Sequence, residues 1–156
     1  MLIQRLFCVL VQNLAESACE TGWVNRPGSS SCYKFVTTSK KSWDSAQKEC
    51  FSYDGYGVSF DSLEEYIWML GYKSFYKQLH DDMWTGGYKS VNNWFWLKNK
   101  GISTKASIPA WDDDQPDNEK GRQDCLQIRS SVHKFDDEYC DKKNRFICEK
   151  QESTLL

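Results

Sequence analysis

Between Trp111 and Cys140 the chain gathers oxygen donors. It reads WDDDQPDNEKGRQDC from Trp111 to Cys125 and FDDEYC from Phe135 to Cys140. Carboxylates and carboxamides crowd around one proline, and no histidine lies between Trp111 and Arg129. Hard cations such as Ca²⁺ take oxygen from Asp, Glu, Asn and Gln side chains and from backbone carbonyls. The stretch therefore suits a calcium site. Asp112, Asp113 and Asp114 read as a solvated face of the same loop, one that raises the local field drawing cations.

Other chemistry finds little support. The two histidines, His80 and His133, have no Ser or Cys nucleophile motif beside them and read as surface residues. Paired carboxylates can serve a glycosidase, but here they sit inside the calcium-type stretch. There is no Gly-rich phosphate loop, and no cysteine pair has the CxxC spacing of zinc or thioredoxin-like chemistry. The net charge of −2 with scattered Lys and Arg gives no reason to expect nucleic acid. No apolar run approaches the ~20 residues of a membrane span.

Something must hold this stretch in place. The 156 residues suffice for one domain with a real core, and 15% of them are aromatic. Of seven cysteines, Cys8 lies in an N-terminal segment where Arg5 precedes the apolar run Leu6 to Val11. Ala15-Glu16-Ser17 has the small-residue spacing of a cleavage site, so residues 1–17 read as a signal peptide. Its removal leaves Cys19, Cys32, Cys50, Cys125, Cys140 and Cys148, an even set that fits an oxidised, secreted domain. Six cysteines alone allow fifteen pairings.

The coarse elements follow from pattern. Arg26 to Ser31 is a turn, and Cys32 to Val36 alternates like a strand. Ser42 to Cys50 reads as a helix, with Trp43, Ala46 and Cys50 on one face. Ser62 and Glu65 form a capping box before a second helix through Leu70, which Gly71 to Asp82 either prolongs or follows as an insertion. Met83 to Gly87, Trp94 to Trp96, Cys125 to Ile128 and Arg145 to Cys148 read as strands. The polar stretch that follows Lys98-Asn99-Lys100-Gly101 and runs to Asp124 is long enough to be functional or disordered. Residues 151–156 read as a free tail.

In this order the residues resemble the C-type lectin-like domain in its long form, over about Cys19 to Lys150. The resemblance is carried by Gly22-Trp23, Trp43 with Ala46 and Cys50, and Trp84-Thr85-Gly86-Gly87. Trp94-Phe95-Trp96 with Gly101, Trp111 with Gln115-Pro116-Asp117, and the last three cysteines complete it. It implies an α+β fold with two helices flanking small antiparallel sheets and a long calcium-binding loop. It also implies disulfides Cys19–Cys32, Cys50–Cys148 and Cys125–Cys140. The Cys50–Cys148 loop is long, and loop entropy assigns such a bridge roughly 4–5 kcal/mol, less any strain.

The resemblance further implies five calcium ligands: Gln115 and Asp117 from the proline triplet, Gln123, and Asp136 and Asp137 from the FDD strand. In such triplets the proline is typically cis, at about 0.5–1 kcal/mol for an X-Pro bond. Two positions depart from the family pattern: Gln123 stands where Glu is usual, and Asp136 where Asn is usual. The exchanges cancel in charge, leaving three carboxylates for a dication. An accessory ion would use Asp124 and a position near Lys89. Because Lys89 is itself a cation, that second site is expected to be absent or weak.

The function so implied is a secreted, non-enzymatic, calcium-dependent carbohydrate-binding protein. Gln115, Asp117, Gln123 and Asp136 would contact sugar. Gln-Pro-Asp sites prefer galactose and N-acetylgalactosamine, with mannose-type sugars as the alternative here because of the exchanges at Gln123 and Asp136. A second class is an extracellular matrix or protein-interaction module on the same fold, without sugar binding. Trp96 and Trp111 could stack on a sugar, but both match core positions and are expected to be packed.

Overall fold

The computed structural model describes residues 19–76 and 79–152. The expected signal peptide and residues 153–156 lie outside them.

Strand β1 (Val24–Asn25) pairs with β2 (Ser31–Lys41), and β2 pairs with β9 (Asn144–Gln151), all antiparallel. Their register runs from Ser31 opposite Gln151 to Val36 opposite Phe146. Pairing with β9 carries β2 well past the Cys32–Val36 run that alternation marks. Gln151 is the last residue of β9 rather than the start of a free tail, and the Glu152 N–H donates to Ser30 O at 2.7 Å. Short β3 (Tyr56–Gly57) lies on the same β9.

The second half is built on β4 (Met83–Ser90). It pairs antiparallel with β5 (Asn93–Leu97), which carries β6 (Ser103–Lys105). It also pairs with β7 (Gln123–Ile128), which carries β8 (Phe135–Tyr139). The expected antiparallel sheets are thus fused by one parallel step, β4 beside β9, with Met83 opposite Arg145 and Trp84 opposite Phe146.

Helix α1 (Trp43–Ser52) buries Ala46 and Cys50 as its spacing predicts, adds Gln47, and leaves Trp43 half-buried. Helix α2 (Leu63–Phe75) continues through Gly71. Its capping box is half formed as expected: the Glu65 N–H donates to Ser62 Oγ at 3.1 Å. The Glu65 carboxylate reaches one residue further back and accepts from the Asp61 N–H at 3.0 Å.

The three disulfides are those the resemblance implies: Cys19–Cys32, Cys50–Cys148 and Cys125–Cys140. Cys50–Cys148 ties α1 to β9 beside buried Trp84 and Phe146. Trp84 and Trp96 are fully buried, while Trp111 is half-buried and packs on the core with its ring 5.2 Å from that of Trp94. Gly86 is needed for close approach: a Cβ there would sit 2.4 Å from the carbonyl oxygen of Gly57, and its N–H donates to Val58 O at 2.8 Å. Thr85 then ties α1 and β7 to β4, because its carbonyl accepts from Trp43 Nε1 and Gln47 Nε2 and its hydroxyl donates to Leu126 O.

One buried acid stands out below these strands. Glu149 is 2% exposed and accepts from the Ser31 hydroxyl and from both the hydroxyl and the N–H of Ser59. Burial, and then the charge of nearby Glu65, push its pKa up to about 7. The folded state therefore holds a proton that the unfolded chain has lost above its ordinary carboxyl range. Stability from this group is full at low pH and falls as pH rises through about 7. In chelator, Tm should fall between about pH 5 and pH 8. Glu149→Gln, which cannot ionise, should flatten that fall and melt several degrees higher at the upper pH. A parallel fall in wild type and variant by scanning calorimetry would refute this account.

Candidate functional site

The acidic stretch is delivered by the base of the long loop. Phe135 is fully buried, its N–H donates to Ala110 O at 2.9 Å, and its carbonyl accepts from the Asp112 N–H at 2.8 Å. Trp111 thereby runs parallel beside Phe135. The Gln115 N–H closes a turn onto Asp112 O at 3.0 Å. From that turn the chain passes Gln115–Pro116, whose peptide bond is cis, and comes alongside Asp137.

Asp137 is fully buried on β8, and its carboxylate pins the loop. One oxygen accepts from the Asp117 N–H at 3.0 Å and the other from the Asn118 N–H at 2.9 Å. The Asp117 N–H is shared with Gln115 Oε1 at 3.1 Å, and Asp117 Oδ1 accepts from the Glu119 N–H at 3.2 Å. Gln123 closes the far end: its Oε1 accepts from the Glu119 N–H, and its own N–H donates to Asn118 Oδ1 at 3.2 Å. The turn between uses left-handed backbone at Asn118, Lys120 and Gly121. Tyr139 steadies it from β8, donating its hydroxyl to Glu119 Oε2 at 2.8 Å.

Four of the five expected ligands, Gln115, Asp117, Gln123 and Asp137, are thus linked through one short loop. Asp136 is not among these bonds. Gln127 Nε2 donates to its Oδ2 at 2.7 Å, and Gln127 in turn contacts Glu138 and accepts from Asn144 Nδ2 at 2.6 Å. Residues 136 and 127 are register partners on adjacent strands, which brings their side chains together. Among the described residues, no three His, Cys, Asp or Glu side chains are placed to hold a metal. The donors that do meet on the loop are two carboxylates and two carboxamides.

The electrostatics of that set suit a hard cation. Burial raises the Asp137 pKa and Asp117's charge adds to the rise, while the two backbone N–H bonds and Lys89 oppose it. Asp136 is raised by burial too, with Gln127 and Arg129 lowering it. The neighbouring acids are matched by side-chain cations. Arg129 pairs with Asp112 at 2.8 Å, Lys134 with Asp113 at 2.8 Å and Lys89 with Asp124 at 3.2 Å. Asp113 and Asp114 are exposed as their run suggests, although Asp113 pairs with Lys134, while Asp112 is half-buried against Arg129. Among the described residues, Asp117 and Asp137 have no ion pair with a basic side chain. The donor chemistry is all oxygen, the kind Ca²⁺ takes, and Gln115, Asp117, Gln123 and Asp137 are the residues that could hold such an ion.

Sequence reasoning missed two features. The buried Gln127 network was signalled only by one polar residue in the strand Cys125 to Ile128. The contact of Lys89 Nζ with Gln123 O at 3.0 Å spans 34 positions and has no local signal. The histidines lie elsewhere, paired with ring centroids 6.4 Å apart, and His133 is half-buried rather than exposed.

The family described as Lectin C-type domain matches residues 39–150. Asialoglycoprotein receptor 2 of Mus musculus is 28% identical over 96% of the chain, and the chain spans about half of that receptor's length, 48%. Among solved structures, the mouse scavenger receptor C-type lectin carbohydrate-recognition domain has a TM-score of 0.73 and 26% identity. It covers 88% of this chain and 100% of its own. A Ca²⁺-dependent type II antifreeze protein in its Ca²⁺-free form has a TM-score of 0.65 and 29% identity, covering 85% of this chain and 100% of its own.

The Asp137 carboxylate makes a direct prediction. Asp137→Ala removes the acceptor for two backbone N–H groups, and such charge-assisted bonds contribute about 1.5–3 kcal/mol each. In chelator, the Asp117 and Asn118 amides should exchange with solvent far faster in the variant than in wild type, measured by hydrogen–deuterium exchange. Unchanged protection at those two amides would show that something else orders the loop.

Proposed function

The chain belongs to the Lectin C-type domain family, and on that premise we propose that it is a secreted, calcium-dependent carbohydrate-binding protein that prefers galactose and N-acetylgalactosamine. The observation that carries this is that the Asp137 carboxylate holds the Asp117 N–H, with neither acid ion-paired to a basic side chain among the described residues and with Gln115 and Gln123 in the same hydrogen-bonded loop. Bound calcium would supply open coordination positions to two vicinal hydroxyls of a sugar.

The chain's own residues then orient those hydroxyls. A hydroxyl both donates and accepts, so it is held best between a carboxylate and a carboxamide N–H. Asp117 offers the first and Gln115 or Gln123 the second. Bonds to ionised oxygen are the stronger, which makes Asp117 the principal anchor. The Gln115-Pro116-Asp117 order puts galactose-type sugars first. The carboxamide at Gln123 gives mannose-type sugars a weaker claim. Nothing in this chemistry breaks a bond, so the activity is binding without turnover. No helix among the described residues is long and apolar enough to cross a membrane.

A second reading is favoured by Asp136, which lies outside the loop's hydrogen bonds and has one carboxylate oxygen bound to Gln127. With that donor engaged, calcium could serve only to shape the loop of a protein- or surface-binding module.

Passing the protein over immobilised galactose in calcium separates the two. The lectin reading expects retention that chelator or free galactose reverses, with mannose a poorer eluent. Asp117→Ala should abolish retention while leaving the melting curve in chelator nearly unchanged, since its side chain is exposed. Retention that survives chelation would end the calcium mechanism. Failure to bind any sugar on a calcium-loaded glycan array would transfer the assignment to the interaction module.

A further inference from the structure

Lys89 sits near the end of β4, with its side chain only 15% exposed. The last register pair between β4 and β7 is Tyr88 opposite Cys125. Beyond it the two strands are held by this ammonium group alone among the described contacts. Its Nζ donates to the Gln123 carbonyl at 3.0 Å, lies 3.2 Å from Asp124 Oδ1, and stands 5.7 Å from the centre of the Trp94 ring. Trp94 is its cross-strand partner on β5. One cation therefore touches β4, β5 and the start of β7.

Gln123 is where the calcium-type loop ends. Its backbone N–H and its side-chain oxygen both bind the turn at Asn118 and Glu119. Fixing the Gln123 carbonyl therefore fixes the distal wall of the site. Partial burial keeps the ammonium–carbonyl and ammonium–carboxylate contacts from being fully screened by salt. The same charge also favours the ionised form of Asp137.

We propose that Lys89 is a protein-borne cation that positions Gln123 and the 117–123 turn, so that the calcium seat is assembled before the ion arrives. The role in calcium uptake rests on the lectin reading above; the role in ordering the turn does not. Lys89 is a positioning residue, since it acts on the site through Gln123. A seat ordered in advance loses less conformational freedom on binding and holds its ion more tightly. Removing a charge-assisted hydrogen bond of ordinary strength corresponds to roughly tenfold in affinity.

The test compares wild type with Lys89→Met, Lys89→Arg and Asp124→Asn by two readouts. Calcium affinity is read by titration calorimetry. Order of the turn is read by trypsin cleavage at exposed Lys120 and Arg122 in EDTA. Lys89→Met should bind calcium about tenfold more weakly and be cut about tenfold faster in EDTA. Lys89→Arg should restore both values, and Asp124→Asn should shift both in the same direction by less. Equal cleavage and equal affinity in Lys89→Met and wild type overturn the proposal. If wild type takes up no calcium, the lectin reading fails instead, and the EDTA cleavage rates alone decide Lys89. If Lys89→Met unfolds globally, Asp124→Asn decides, and wild-type behaviour in that variant overturns the proposal.

Discussion

The acidic end of this molecule depends on β8 being gripped from both sides. On one side β7 pairs with it from Gln123 to Ile128. On the other, Ala110 and Asp112 hydrogen-bond to the backbone of Phe135. The Phe135 ring is buried at the hub of an aromatic cluster, stacked on Tyr66 at 5.1 Å and edge-on to Phe60 at 5.6 Å. Displacing that ring would open a cavity among close-packed side chains, which cores resist. Two residues on, Asp137 inherits a fixed position and uses its carboxylate to hold the loop. The core thus sets the site through three consecutive residues of one strand. The long loop between β6 and β7 keeps its shape because both its base and its acidic turn are tied to that strand.

How much of this was legible in the sequence depended on whether the signal was local. The proline triplet announced Gln115 and Asp117, because oxygen donors flanking a proline are a short-range pattern. Ser62 and Glu65 announced α2, because capping is a contact between residues three apart. Disulfide pairing was not legible from the cysteines themselves and came only through resemblance to a family. Asp136 shows a different limit. Adjacent to Asp137 in sequence, it meets Gln127 because strand register brings those two together, and register is decided by partners far along the chain. Glu149 follows the last cysteine in a charged Glu-Lys pair that looks solvent-facing. It is nevertheless buried, because β2 and β3 cover both edges of β9 there.

The distribution of cations shows how the charge of an acid-rich loop is met by side chains at its margins. Asp112, Asp113 and Asp124 are matched by Arg129, Lys134 and Lys89, each from a strand or turn next to the loop. Those pairs lower the self-repulsion of the stretch and hold its margins. Because surface pairs contribute little individually, the ordering falls chiefly to the partly buried members, Asp112 with Arg129 and Lys89 with Gln123 and Asp124. At the centre are Asp117 and Asp137, whose carboxylates accept from backbone N–H groups and have no ion pair with a basic side chain among the described residues. Backbone donors satisfy the geometry of a carboxylate and reduce the cost of its burial without cancelling its charge. Two such carboxylates, one on the turn and one on the β8 strand that holds it, with two carboxamide oxygens beside them, carry a charge comparable in size to that of a dication. The residues at the margins give the loop its shape, and the pair at its centre is what the proposed calcium reading rests on.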